Sequence, residues 1–196
     1  MDVLLNGIKL DITLEDEKNI GDILRAMETE LDKNAATIIE VCADGTIISA
    51  EMLDKLFDQP IDSVNELSIK SISALEVSNI IREVCSHFNA LADKLEELPV
   101  QLQKNEDKKA METVTELADS LSLLFQTIPY VNLFPEKFSD LTVESEPLAP
   151  FVEQFPALMQ DFLSAVESND TVSIGDLAEY EISPKLRQLA SLKDSL

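Results

Sequence analysis

The sequence predicts an α+β protein in which a small mixed α/β part is followed by a larger, all-helical part. The period of the hydrophobic pattern changes once, near Ser73. Before this point apolar residues occur in short runs separated by turn signals, which is typical of strands and short helices. After it they recur every three or four residues, which is typical of amphipathic helices. We therefore expect two domains, residues 1–73 and residues 74–196.

The charge of the chain restricts its partners. Its 196 residues include 38 acidic and 15 basic side chains, for a net charge of −23. A surface of this sign repels phosphate backbones and anionic headgroups, so we expect neither nucleic-acid nor membrane binding. It attracts basic partners. It would also suit a DNA mimic, although acidity of this kind is more typical of a solvated surface.

The cysteines and the N-terminal residues favour a cytoplasmic, soluble protein. Cys42 and Cys85 are far apart in sequence, and neither belongs to a Cys-x-x-Cys motif. Two free thiols in a reducing compartment are the simplest interpretation, and one disulfide is the alternative. The chain has no basic N-terminal region before an apolar run, and no run as long as a membrane span.

The first 73 residues contain a hairpin, a helix and further short strands. Asn6-Gly7 is a strong hairpin signal between β-prone runs at residues 1–6 and 8–12. Asn19 caps a helix, whose apolar face comprises Ile20, Ile23, Leu24, Met27 and Leu31. The remaining expected elements are an acidic loop at 13–18, strands at 37–42 and 46–49 around an Asp44-Gly45 turn, a helical turn at 51–57, and a closing strand at 66–72.

This order of elements resembles that of the β-grasp (ubiquitin-like) fold. The resemblance implies a mixed sheet that packs against one helix. Carrier and conjugated members of that fold end in an exposed Gly-Gly tail, whereas here the last strand continues through Ser73 into a helix. Carrier chemistry is therefore excluded. A ferredoxin-type iron–sulfur centre is excluded as well, because the chain has no cysteine cluster.

The helical part predicts an antiparallel bundle of about four helices. The first seam follows 4- and 3-residue spacings, and Pro99 should interrupt it; its members are Ile80, Val84, Phe88, Leu91, Leu95, Leu98 and Leu102. A turn at residues 104–107 reverses the direction of the chain, so that the helices on either side form a first hairpin at 75–128. A second hairpin, with Pro156 and Pro184, is expected at 148–193. Between the hairpins, the apolar residues of the 129–147 connection either cover a groove of the bundle or leave it open to a partner helix; those nominated for a partner surface are Val131, Leu133, Phe134 and Phe138.

A short motif in the last helix carries a second resemblance. The residues from Gly175 to Leu186 read GDLAEYEISPKL. This stretch resembles an L-x-D-x-L-E-Y-E-L-x-P-x-L pattern of an uncharacterised bacterial family, with Ala178 and Ile182 in place of leucines. The family pairs a β-grasp-like N-terminal part with a helical region and has no assigned activity. Its polar residues here, which we nominate as a further partner surface, are Asp176, Glu179, Tyr180 and Glu181.

The chain contains no recognisable catalytic motif. His87 is the sole histidine, and the four glycines stand apart, so neither a phosphate-binding loop nor a nucleophile elbow is present. Glu83, Cys85 and His87 are the residues that we nominate for a metal or small-molecule site. A histidine at the edge of a helical seam is more often a structural residue. We therefore expect no enzymatic activity and no cofactor.

These observations favour a non-enzymatic protein–protein interaction module, which would bind a protein partner or a second copy of itself as a homodimer. An acidic cytoplasmic chaperone for a secreted or flagellar subunit is one alternative. A metal- or small-molecule-binding bundle around Glu83, Cys85 and His87 is another. The β-grasp sheet would offer an edge or a face for docking, and the bundle would offer a groove.

Overall fold

The computed structural model describes residues 1–11 and 17–196 and shows an α+β protein. The described chain divides into two compact units, Met1–Glu76 and Val77–Leu196. The first unit holds a mixed sheet and the second is mostly helical. Within the described ranges, no helix is both long enough and apolar enough to cross a membrane.

The first unit is a five-stranded sheet with two helices. In chain order, its elements are β1 Asp2–Leu5, β2 Ile8–Lys9, α1 Ile20–Asp32, β3 Ala36–Ala43, β4 Thr46–Ile47, α2 Ala50–Phe57, a 3₁₀ turn Ile61–Ser63 and β5 Glu66–Ser73. The strand order is β2-β1-β5-β3-β4. The central pair, β1 and β5, is parallel, and the other pairs are antiparallel.

Local sequence signals explain both hairpins and the start of α1. Asn6 and Gly7 have φ of 49° and 81°, and Asp44 and Gly45 have φ of 47° and 79°, which are the left-handed values that tight hairpin turns need. Asn19 caps α1 as predicted: its side chain accepts a hydrogen bond from the Asp22 amide at 2.8 Å. Strand β2 ends at Lys9, earlier than expected. The predicted end of that strand and most of the acidic loop fall on residues 12–16, outside the described residues.

One apolar core joins the sheet and α1. Residues of α1 and the inward positions of the strands form it, together with Leu56 of α2 and Val64; the members are Val3, Ile20, Ile23, Leu24, Val41, Leu56, Val64, Leu67 and Ile69. Gly21 lets α2 approach closely, because a Cβ built at this position would lie 2.5 Å from Cδ1 of Phe57.

The second unit consists of two long helices and several shorter elements. Its elements are α3 Ala74–Glu96 (which begins in the first unit), α4 Leu98–Gln103, α5 Asp107–Val131, α6 Pro135–Phe138, β6 Thr142–Val143, β7 Glu146–Pro147, α7 Leu148–Val152, α8 Phe155–Glu167, α9 Thr171–Asp176, a π turn Leu177–Ile182, α10 Ser183–Ala190 and a 3₁₀ turn Ser191–Asp194. A capping box starts α3, since the Ser73 amide donates to the Glu76 carboxylate at 2.7 Å and Ser73 Oγ accepts from the Glu76 amide at 3.2 Å.

Prolines account for the helix breaks. Pro99 lies in the first turn of α4, directly after the break from α3, as expected. The predicted third helix is divided into α7 and α8, with Pro156 in the first turn of α8. Helix α5 continues past Pro129 to Val131, which is a difference from the predicted end at residue 128. This proline lies in the last turn, where it interrupts few hydrogen bonds.

The last predicted helix contains a wide turn. Pro184 has no N–H for the carbonyl of Tyr180, and its ring crowds that carbonyl. The chain adopts a π turn just before the proline, where the Ser183 amide bonds to the carbonyl of Ala178. Ser183 is fully buried, and its hydroxyl donates to the carbonyl of Ala92 in α3 at 3.2 Å.

The core of the second unit differs from the predicted seam at both ends, and at the later end Leu102 is half-buried while Gln101 is buried. Val84, Phe88, Leu91, Leu95 and Leu98 are buried, as the 3- and 4-residue spacing predicts. Ile80 is only half-buried, whereas Val77 and Ile81 are fully buried. The buried stripe of α3 is therefore rotated by one position at its start. The ion pair between Lys94 and Glu116, at 2.6 Å, connects α3 to α5.

Candidate binding groove

The first unit has a groove of about 310 Å³ between α1, β3 and α2. Five of its lining residues are apolar and three are polar; the eight are Leu24, Arg25, Glu28, Thr37, Ile38, Val41, Leu53 and Phe57. Leu24 and Val41 belong to the buried core, while Ile38, Leu53 and Phe57 are half-exposed. The groove therefore has an apolar floor with a polar rim.

Strand β3 has an open edge along this groove. Its neighbour β4 pairs only with Cys42 and Ala43, and the last ladder bond on this side joins the Ile48 amide to the carbonyl of Val41. Toward the start of β3, no described strand pairs with residues 36–40 on the side opposite β5. The register also shifts between Ile38 and Glu40, as it does at a bulge.

Glu28 closes part of that edge from α1. Its carboxylate accepts a hydrogen bond from the Ile38 amide at 3.1 Å and another from Thr37 Oγ1 at 2.6 Å. In a sheet, a backbone amide of this kind normally donates its hydrogen bond to a carbonyl of the adjacent strand. The carboxylate of Glu28 thus occupies the place of a strand partner at one position.

Arg25 is held at the other rim. Its guanidinium lies 5.4 Å from the centre of the Phe57 ring, and its Nη1 donates to Asp22 at 3.0 Å. The carboxylate of Asp22 also accepts from the backbone amides of Lys18 and Asn19. These hydrogen bonds, with the nearby charge of Arg25, hold the pKa of Asp22 below its ordinary value. Arg25 is therefore largely neutralised by its own helix.

The structure does not bring Glu83, Cys85 and His87 together. Glu83 and His87 are exposed on one face of α3, where Nδ1 of His87 lies 2.9 Å from the Glu83 carbonyl. Cys85 is 0 % exposed on the opposite face, and burial raises the pKa of its thiol to about 12. Residues two apart on a helix point in nearly opposite directions. Among the described residues, no group of three or more histidine, cysteine, aspartate or glutamate side chains is placed to hold a metal ion.

The nominated polar surface near the π turn is exposed. Tyr180 is 65 % exposed, and Asp176, Glu179 and Glu181 are also on the surface. The hydroxyl of Tyr180 bonds to Glu179, and this bond together with the carboxylate charge raises the pKa of Tyr180. The four residues form an acidic surface around one aromatic ring.

The apolar residues nominated in the connection are divided by the fold. Val131 and Phe138 are buried in the core of the second unit, so neither belongs to an exposed surface. Leu133 is 47 % exposed and Phe134 is half-buried, and the Phe134 ring contacts that of Phe138 edge-on with centroids 6.4 Å apart. The connection thus covers apolar surface of its own unit.

Sequence reasoning does not find the groove as a site. The helical pattern places Leu24 in the core, and it gives no reason to single out Glu28, Thr37 or Leu53. The signal that could suggest the site is Glu28 itself, an acidic residue between Met27 and Leu31 on the inward side of the predicted helix. Its partners Thr37 and Ile38 are nine and ten residues away, beyond the range of helical periodicity.

The fold and the groove define an α+β protein with a mixed-sheet unit, a helical unit and a candidate peptide groove. The chain belongs to the family of a domain of unknown function (DUF8042), whose model matches residues 79–192. The model of the TP0873 N-terminal domain matches residues 1–73. This is an uncharacterised bacterial family with no assigned activity.

One relative is similar to this chain over nearly the whole length of both sequences. An uncharacterized protein of Treponema pallidum (strain Nichols) is 28% identical over 190 residues, which cover 97% of this chain and 94% of that protein. No solved structure matches the chain.

Proposed function

We propose that this chain is a non-enzymatic, cytoplasmic protein–protein interaction module, and that the groove between α1, β3 and α2 binds an extended segment of a partner protein. The observation that carries the proposal is the open edge of β3 beside an apolar floor. An added strand would bond to the edge through its backbone and place alternate side chains on the floor. The free thiols of Cys42 and Cys85 support a reducing compartment.

The architecture that we propose for the module is a β-grasp domain, residues 1–73, followed by an antiparallel helical bundle, residues 74–196. Two features support the β-grasp assignment: the strand order β2-β1-β5-β3-β4 with a parallel central pair, and α1 packed on the sheet between the two hairpins. The ion pair between α3 and α5 supports an antiparallel first hairpin.

A protein segment suits this groove better than a small molecule does. Small-molecule sites enclose most of their ligand, whereas this groove is partly open to solvent and is lined on one side by Thr37, Ile38 and Val41 of β3. The groove lining contains neither histidine nor cysteine, and its carboxylate, Glu28, is engaged by Thr37 and by the Ile38 amide.

Selection of displayed random peptides on the full-length chain tests this function. We expect enriched peptides to bind the wild-type protein and to bind Leu53→Lys about tenfold more weakly, because the lysine would extend across the apolar floor. Met52→Lys is the matched control: Met52 is the preceding residue of α2, is 48 % exposed and does not line the groove. Circular dichroism verifies that both variants fold.

The proposal would be abandoned if no peptide were enriched, or if Leu53→Lys bound every enriched peptide as well as Met52→Lys does.

A further inference from the structure

We propose that the occupant of the groove is an extended, basic partner segment whose apolar side chains form the row that faces α1, and that one cation in this same row pairs with Glu28. This inference rests on the function proposed above and specifies the chemistry of the partner. It follows from three features of the groove: the strand edge, the position of Glu28 and the surrounding charge.

The strand edge determines the alternation. Successive side chains of an added strand point to opposite faces of the sheet. On β3, the face of Ile38 and Val41 is directed toward α1 and the core, so every second side chain of the partner would contact Leu24, Leu53 and Phe57. These positions favour apolar residues, since each buried aliphatic side chain contributes about 1.5–3 kcal/mol.

Glu28 determines the need for a cation. In the structure its carboxylate is satisfied by Thr37 and Ile38. A partner strand that bonds along the edge would supply its own carbonyl to the Ile38 amide, and Glu28 would lose that hydrogen bond. Glu28 is half-buried, and a carboxylate that loses its partners in such a place is costly unless a cation replaces them. A lysine or arginine of the partner can do so from the row that faces α1, at the position beside Glu28, because the side chains between the apolar ones point to the opposite face of the sheet.

The surrounding charge favours the same occupant. Exposed acidic residues flank the lining positions: Asp32 lies one turn after Glu28, and Asp54 and Asp58 follow Leu53 and Phe57 directly. The three elements that line the groove contain two cations, Arg25 in α1 and Lys55 in α2, and Arg25 is already paired with Asp22. The chain as a whole carries a net charge of −23. A basic segment is therefore attracted over a distance and an acidic one is repelled.

Three synthetic peptides of equal length separate the contribution of the apolar contacts from that of the charge. Each has the same apolar residues at alternate positions, and the next position of that row, together with the positions between the apolar residues, is lysine, threonine or glutamate. In calorimetric titration of the full-length chain at low salt, we expect the lysine peptide to bind, the threonine peptide to bind about tenfold more weakly, and the glutamate peptide not to bind. Hydrogen exchange should show protection at residues 36–41 when the lysine peptide is bound.

Glu28→Gln tests the residue itself. Glutamine can still accept the bond from the Ile38 amide, so the fold is retained, but the charge is lost. We expect the lysine peptide to bind this variant about fivefold to tenfold more weakly, with the threonine peptide unchanged. Glu30→Gln is the matched control, because it removes the same charge from α1 at an exposed position outside the groove, where Glu30 pairs with Lys33.

The outcomes separate this inference from the proposed function. Equal binding of the lysine and threonine peptides would overturn the basic occupant while leaving a peptide groove intact. Equal effects of Glu28→Gln and Glu30→Gln would overturn the role of Glu28. A dimer in light scattering that Leu53→Lys dissociates would overturn the basic segment by assigning the groove to a second copy of the chain. If neither these peptides nor selected random peptides bind, the proposed function itself fails.

Discussion

Replacement of Gly175 by alanine should destabilise the helical unit, although alanine is the better helix former. Gly175 lies in α9 against the Pro99 ring of α4, and a Cβ built there would lie 2.9 Å from Cγ and 3.4 Å from Cβ of the proline. Carbon atoms in contact are about 3.5–4.0 Å apart, so α4 and α9 would have to separate by roughly 0.6–1 Å at this point. The proline ring has no rotamer that moves it away.

Two opposing free energies determine the size of the effect. Alanine in place of glycine inside a helix contributes about 1 kcal/mol of stability. Overpacking of a well-packed contact costs about 1–3 kcal/mol. We therefore expect a net loss of up to about 2 kcal/mol in the free energy of unfolding of this unit. Urea denaturation followed by far-ultraviolet circular dichroism measures it, and separate transitions of the two units would be fitted separately.

A double-mutant cycle isolates the contact. In a Pro99→Ala background the nearest atom is removed, so Gly175→Ala should be neutral or stabilising by up to about 1 kcal/mol. If Gly175→Ala stabilises the wild-type chain as much as it stabilises the Pro99→Ala chain, the close approach of α4 and α9 is not as described and the reasoning is refuted.

Three further predictions concern other parts of the molecule. Gly21→Ala should lower the denaturation midpoint of the first unit, because a Cβ there would lie 2.5 Å from Cδ1 and 2.9 Å from the carbonyl oxygen of Phe57; an unchanged midpoint would contradict the packing of α1 against α2. Asp22 has a lowered pKa in the folded chain, so its stabilising effect is present above the unfolded value of 3.8 and is lost as the pH falls through the lowered folded value. Asp22→Asn should therefore be less stable than wild type at neutral pH, and the melting temperatures of the two proteins should converge in acid. A difference in melting temperature that does not change with pH would contradict the lowered pKa of Asp22. Maleimide should label Cys42 in the native chain but Cys85 only after denaturation, because burial excludes the reagent and raises the pKa of Cys85 to about 12. Two labels on the native chain would disprove this.

Local signals in the sequence were sufficient for much of the fold. The hairpin turns at Asn6-Gly7 and Asp44-Gly45, the cap at Asn19 and the break before Pro99 depend only on residues close in the chain, and all are present in the structure. The same reasoning correctly indicated a change from a mixed sheet to helices near Ser73. Each of these features is governed by backbone geometry over a few residues.

Less of the candidate site could be predicted from the sequence. Apolar spacing in the connection indicated burial or binding for Val131 and Phe138 but could not decide between them, and the fold places both inside. Sequence proximity suggested a cluster of Glu83, Cys85 and His87, which the helical repeat separates onto opposite faces. The spacing predicted one helix through Pro184, whereas the structure has a π turn just before the proline and holds Ser183 against α3.

By itself, the sequence determined the class of fold, the positions of most turns and the strongly acidic surface, because periodicity, capping and charge are properties of neighbouring residues. Only the tertiary structure decided that β4 stops short of the first half of β3 and that Glu28 reaches the Ile38 amide from α1. These features arise from strand pairing and from the close packing that Gly21 permits, which join residues whose separation along the chain carries no local signal. The groove exists because three elements meet, and no one of them encodes it.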